Sequence, residues 1–178
     1  MSESKSRADI FGMWLFLASE LLLFGGLITL YSACRTMLPA LFSEGIAHNL
    51  RWVGSLNTFI LIASSFTVAF AVHSARHFRP LLAATFLLGF AFLGLKTYEY
   101  ADHLAEGIAP GVNVFYSLYY VTTGAHAIHV IIGLIVIAVL FWKAEHARVE
   151  LGALYWHLVD VIWIFLWPLY YLTDGGRG

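Results

Sequence analysis

The sequence predicts an all-α fold: a polytopic membrane protein built as a bundle of five transmembrane helices. Two observations carry that prediction. Of the 178 residues 60% are hydrophobic and 12% charged, with a mean hydropathy of +0.78, and a water-soluble domain of this size cannot hide so much apolar surface. Five stretches also approach the ~20 apolar residues that carry a helix across a hydrocarbon core of roughly 30 Å. Between them lie short connections that collect the charges, prolines and glycines. The chain, 1–178, reads as a single transmembrane domain with no internal repeat, low-complexity tract or water-soluble domain. A net charge of −1 argues against nucleic acid as a partner. The single Cys34 leaves neither an internal disulfide framework nor a cysteine metal cluster.

The first span is expected over 10–33, with Asp9 as its N-cap. No small-residue cleavage site follows this first apolar run, which therefore reads as a retained helix and not a signal peptide. A connection over 34–51 contains Pro39, Gly45, Arg35 and Glu44. The second span covers 52–72, HSARHFR forms a basic turn, and Pro80 is placed to open the third span, 80–101. Asp102 to Asn113 is acidic, contains Gly and Pro, and reads as a loop. The fourth span, 114–142, would be about 40 Å long as a helix, so it must tilt or begin among the headgroups. Its opening tyrosines, Tyr116, Tyr119 and Tyr120, read as an interfacial aromatic belt. KAEHARVELG is the next loop and the fifth span covers 153–172. Trp14, Trp52, Trp142 and Trp156 stand near the expected membrane boundaries as anchors. Trp163 and Trp167, four apart and followed by Pro168, read as one packing face.

Five spans put the termini on opposite sides of the membrane. Lys5, Arg7, Arg76, Arg79, Lys143 and Arg148 fall on the N-terminal side, against Arg35, Arg51, Arg177 and Lys96 on the other. The basic excess predicts a cytoplasmic N-terminus in an inner (plasma) membrane.

Polar residues inside the spans are the functional candidates, because each is costly there unless partnered. Glu20 lies near the bilayer midplane and must be protonated or paired. By depth alone its best partner is His126, and the pair reads either as a structural hydrogen bond or as a proton-handling or lipid-headgroup site. His126 and His129, three apart, share a helix face, with Thr122, Thr123, Gly124, Ala125 and Ala127 keeping that surface thin. Two histidines supply only two ligands; the remaining histidines are scattered, and no HExxH or histidine box is present. Metal or haem ligation is therefore the weaker reading against polar pairing. Lys96 and Glu99 read as an interfacial i,i+3 ion pair, with a functional carboxylate as the alternative. His157 and Asp160 form a second i,i+3 pair, satisfying itself or a neighbouring chain. In the second span Ser55, Asn57, Thr58, Ala63, Ser64, Ser65 and Thr67 favour close helix approach. That face is expected to be buried on a partner.

GMWLFLASELLLFGG, NTFILIASS, FLGLKTYEY, FYSLYYVTTGAHAIHVIIG and YWHLVDVIWIFLWPLYY, in this order, resemble subunit III of the haem-copper oxidase superfamily, the cytochrome c oxidase subunit III family, over about residues 11–173. Many members have seven helices, and this chain is similar to the five-helix form, without the first two. By resemblance Glu20 matches the family's buried glutamate, His126 and His129 the histidines of TGxHxxHV, and Trp156, His157 and Asp160 the WHxVD motif. The resemblance implies an accessory, non-redox subunit with no cofactor of its own. Haem and copper would sit in the partner, the catalytic subunit I. The subunit would contact subunit I, other oxidase subunits and membrane lipids, bind phospholipid, and support proton uptake in a complex that reduces oxygen with electrons from cytochrome c or quinol. The loop after the first span lacks the Pro-rich segment of mitochondrial-type members, and the missing helices remove one wall of the family's lipid cleft. The compact form is also similar to the branch associated with nitric oxide reductase. An independent b-type cytochrome with His126 or His129 as axial ligand is the alternative from another class.

Overall fold

A computed structural model describes the backbone of residues 3–74, 76–143 and 149–172, with side chains from Phe11 onward. Its elements are α1 (Glu3–Met37), α2 (Pro39–His48), α3 (Arg51–His73), α4 (Phe78–Ala105), α5 (Val114–Lys143) and α6 (Val149–Trp167), closed by a π-helical turn over Pro168–Leu172. Five of these helices, α1 and α3 to α6, are long and apolar enough to cross a membrane. His146, Arg148 and Arg177, which the sequence places in a loop and the C-terminal tail, lie outside the described residues.

The helices run past several of their expected ends, for reasons of local chemistry. α1 starts at Glu3, so Asp9 sits inside it and is not its cap; the segment before Asp9 has no Gly or Pro to stop a helix. At its other end α1 continues to Met37, because the first obstacle is Pro39, which forces Leu38 out of helical geometry (φ −130, ψ 55). Pro39 then opens α2, where its missing N–H costs nothing. The connection of 34–51 thus contains a helix the sequence reading did not assign. α2 buries Phe42, Gly45 and Ile46. Gly45 lies so close to the Phe115 ring that a Cβ would overlap it.

α4 extends to Ala105, past the expected stop at 101. Its true terminator is Gly107, which takes the left-handed φ of +79. Gly107 N–H bonds to Leu104 O (3.1 Å) and Ile108 N–H to His103 O (2.8 Å), the paired bonds of a Schellman cap. This extra turn matters below, because it places Lys96 and Glu99 well inside the helix.

α3, α4, α5 and α6 close a ring, each packed on the next and α6 on α3, while α1 leans on α5 and α6 from outside. Over the apolar stretch of each span, 56% of positions are buried in α6 and 11% in α1. α6 is therefore the core helix and α1 the one least covered by the rest of the chain. Trp156 of α6 pins the ring. Its indole N–H donates to Ser64 Oγ of α3 (2.9 Å), and its ring passes so near Gly89 of α4 and Gly133 of α5 that a Cβ at either would come within 2.6 or 2.8 Å of it. Trp156 is thus a fully buried cross-beam and not a boundary anchor.

Candidate functional site

The polar side chains inside the bundle form three separate groups. In the first, Lys96 and Glu99 of α4 are 2% and 0% exposed. Lys96 Nζ donates to Glu99 Oε2 (2.9 Å), Tyr119 Oη (2.9 Å) and Tyr171 Oη (2.8 Å), which uses all three ammonium protons. Tyr171 O–H in turn donates to both Glu99 oxygens, at 2.7 and 2.8 Å. The rings of Tyr119 and Trp163 stand 4.6 and 5.3 Å from the ammonium. This corrects the expectation of an inexpensive interfacial pair: the ions lie inside the protein, and a tyrosine from α5 and one from the closing π turn complete their shell. Tyr119, expected in an interfacial belt, is likewise fully buried. The available signal was Lys96 itself. A lysine with an apolar run on one side and two tyrosines on the other, Tyr98 and Tyr100, needs partners at its own depth.

Beyond this cluster, His103 is 1% exposed, packed between Tyr116 and Tyr119, with neither ring nitrogen partnered among the described residues. At the surface above it, His48 Nε2 meets Glu106 Oε2 at 2.6 Å, tying α2 to the end of α4.

The second group answers the question posed by Glu20. Its carboxylate Oε2 lies 2.8 Å from Nε2 of His129, not His126. The contact is an ion-pair distance without the angle of an aligned hydrogen bond. Helical phase decides the partner. His126 points into the ring of helices, fully buried between Phe92 and Trp163, with neither nitrogen partnered among the described residues. His129, one turn on and rotated toward α1, reaches the outer seam. Depth was a sound guide and azimuth was the missing coordinate. His129 Nδ1 donates to Ala125 O (2.7 Å); a carbonyl only accepts, so the Nδ1 proton is fixed. Nε2 is then the ring nitrogen that faces the Glu20 carboxylate. Phe24 packs edge-on against the His129 ring.

In the third group His157 Nδ1 and Ser65 Oγ are 2.7 Å apart across α6 and α3. Asp160, expected to pair with His157, is 3% exposed and makes no hydrogen bond to it; its polar neighbour is the Ser65 hydroxyl. The small residues of α3 are spent largely inside the bundle. Ser64 Oγ accepts from Trp156, Thr58 Oγ1 from Trp163 (3.0 Å), and Thr67 meets Thr85 of α4 (2.7 Å). These residues thus serve helix association within the chain, because α3 packs on both α4 and α6.

None of the three groups is a redox site by its donor set, and among the described residues no three His, Cys, Asp or Glu side chains converge as metal ligands. Known proteins match this chain along nearly its whole length. The family described as cytochrome c oxidase subunit III matches residues 6–174. The chain belongs to that family. It is similar to the cytochrome c oxidase subunit 3 of Thermostichus vulcanus, with 38% identity across 92% of this chain and 86% of the relative. It is also similar to the quinol oxidase subunit 3 of Bacillus subtilis (strain 168), with 33% identity across 96% of this chain and 89% of the relative. A third similarity is to the heme-copper oxidase subunit I+III of Aeropyrum pernix, with 31% identity across 90% of this chain and 22% of that longer relative. As a subunit III the chain is a membrane component of a respiratory terminal oxidase, of cytochrome c or quinol type, and holds no catalytic centre of its own.

Proposed function

We propose that this subunit III packs against the catalytic subunit I of a haem-copper oxidase, stabilises it, binds phospholipid and supports proton uptake, with haem and copper held by the partner. The fused subunit I+III of Aeropyrum pernix supports that partner. Relatives named as oxidases of both donor types support oxygen, and not nitric oxide, as the substrate of the complex. The N-terminus faces the cytoplasm, by the basic excess of the sequence.

The observation that carries the proton and lipid roles is the Glu20–His129 pair. It sets a carboxylate oxygen 2.8 Å from an imidazole nitrogen, 12% and 13% exposed at the seam of α1 with α5, two proton-carrying groups side by side within the spans. Beside it an apolar groove of about 460 Å³ runs between Gly12, Phe16, Ile132 and Tyr155, a fit for acyl chain. In the assembled oxidase, Glu20→Gln should leave assembly and initial turnover near wild type while sustained turnover declines; unchanged endurance would remove the proton role. The b-type cytochrome alternative is disfavoured by the aromatic enclosure of His126, and a stoichiometric Soret band from the purified chain, lost in His126→Ala, would restore it.

A further inference from the structure

Lys96, Glu99 and His103 of α4 and Glu106 at its C-cap follow one another at intervals of three, four and three residues, which sets them on one helix face over about 15 Å. The face is graded from core to surface. Lys96, Glu99 and His103 are all buried, while the Glu106 side chain is 49% exposed. We propose that this stripe is a proton relay, in which His103 carries protons between the His48–Glu106 pair at the surface and the buried Glu99 carboxylate. The relay is separate from the Glu20–His129 pair and stands whether or not that pair handles protons.

The outer end is open: the His48 side chain is 42% exposed and lines a cavity of about 500 Å³ with Glu44, Asn113 and Tyr116. His48 Nε2 meets Glu106 at 2.6 Å, and its ring stands 6.0 Å from that of His103, a spacing that one water spans. His103 lies one turn from Glu99 on the same face, and the charges of Glu99, Lys96, His48 and Asp102 all act on it. Its ring is also uncommitted. His129 and His157 are each held by one nitrogen, on Ala125 O and Ser65 Oγ, whereas neither nitrogen of His103 is partnered among the described residues. A neutral imidazole of this kind accepts a proton at one nitrogen and releases one from the other. His126 is equally uncommitted, but only His103 stands between an exposed titratable pair and a buried one. Inward, a solvent proton adds to His48 or Glu106; an N–H bond forms on His103 as the outer bond breaks, and an O–H bond forms on Glu99 as the opposite N–H of His103 breaks. The cluster then carries one positive charge, on Lys96. Its surroundings suit that state: the rings of Tyr100, Tyr119, Trp163 and Tyr171 stand 5.3, 4.6, 5.3 and 5.5 Å from the ammonium, and the Tyr119 and Tyr171 oxygens accept from it. The cation therefore keeps a shell when Glu99 is neutral.

The test follows Glu99 itself in the full chain in detergent, through the infrared carbonyl stretch of its protonated carboxyl after a rapid drop in pH. The band is identified by its loss in Glu99→Gln. In the wild type it should rise on acidification and reverse on return to neutral pH. His103→Gln, which keeps a polar side chain but cannot carry the proton, should slow the rise about 100-fold, the lower end of what a positioned acid–base group contributes, while the band still forms. Imidazole added to His103→Ala should restore the rate, an outcome that a purely structural role for the ring does not produce. Glu106→Gln, a change at an exposed side chain that leaves the core untouched, should slow the same step several-fold. Wild-type rates in His103→Gln or Glu106→Gln would overturn the relay. So would a folded His103→Ala chain that imidazole fails to rescue, or a Glu99 that takes up no proton at any pH at which the chain stays folded. The band belongs to this chain alone, so none of these failures touches the accessory-subunit reading.

Discussion

Replacing Lys96 by methionine separates an ion pair at the membrane surface from one inside the bundle. The substitution keeps the length of the side chain and removes three donor bonds, to Glu99, Tyr119 and Tyr171. Glu99, with no exposed surface, is left with the Tyr171 hydroxyl alone. Breaking a buried pair by removing one partner costs about 3–5 kcal/mol, whereas an exposed pair would cost less than about 1 kcal/mol. In Lys96→Met/Glu99→Leu the bare carboxylate is gone; Tyr119 has lost Lys96 in both variants, so the only new penalty is the Tyr171 hydroxyl, about 1–3 kcal/mol where a buried polar group loses its partner. The double variant should therefore be more stable than the single one. The assay is SDS-induced unfolding of the full chain in detergent micelles, followed by tryptophan fluorescence. A loss below about 1 kcal/mol in Lys96→Met, or a double variant weaker than Lys96→Met, would refute the argument.

Gly133→Ala should lower stability by about 1–3 kcal/mol through overpacking on Trp156. Gly124→Ala, whose new methyl would meet nothing closer than 3.9 Å, should unfold as wild type in the same titration. A double-mutant cycle on complex stability should give Glu20 and His129 a coupling of about 0.5 kcal/mol or more, and Glu20 and His126 none. Equal couplings would contradict the azimuths described above. Ser4→Cys should be labelled by an impermeant maleimide only from the cytoplasmic side; labelling from the other side alone would invert the orientation.

The five spans were legible because hydropathy over about 20 residues needs no knowledge of neighbours. Helix ends were less so. α4 ends at Gly107 by a left-handed cap, while the acidic composition around Asp102 suggested a loop several residues too early. The site was legible in its inventory and not in its pairing. Glu20, Glu99, His126, His129, His157 and Asp160 all stand out as polar groups at membrane depth, but which of them meet depends on the rotation of each helix about its axis. Small moments of apolarity on nearly uniform helices, as in α1 and α5, do not encode that rotation strongly. His126 and His129 show the consequence: three residues apart, one is sealed in the ring and the other pairs at the seam. Tyr171 was hidden for another reason, since its partner Lys96 lies far away along the chain.

That separation gives the closing π turn a part in how the protein is made. Pro168 interrupts the α pattern, and the carbonyls of Leu169 and Tyr170 are taken by Tyr31 O–H (2.5 Å) and Asn49 Nδ2 (2.9 Å), while Tyr170 O–H reaches Thr122 Oγ1 (3.2 Å). Synthesis runs from the N-terminus, so α4 enters the bilayer with Lys96 and Glu99 long before residue 171 exists. Tyr119 can join them when α5 inserts, but the bridge between the ammonium and the carboxylate waits for the last turn of the last span. Seating of the π turn therefore completes the shell of the ion pair and adds the contacts with Tyr31, Asn49 and Thr122 together.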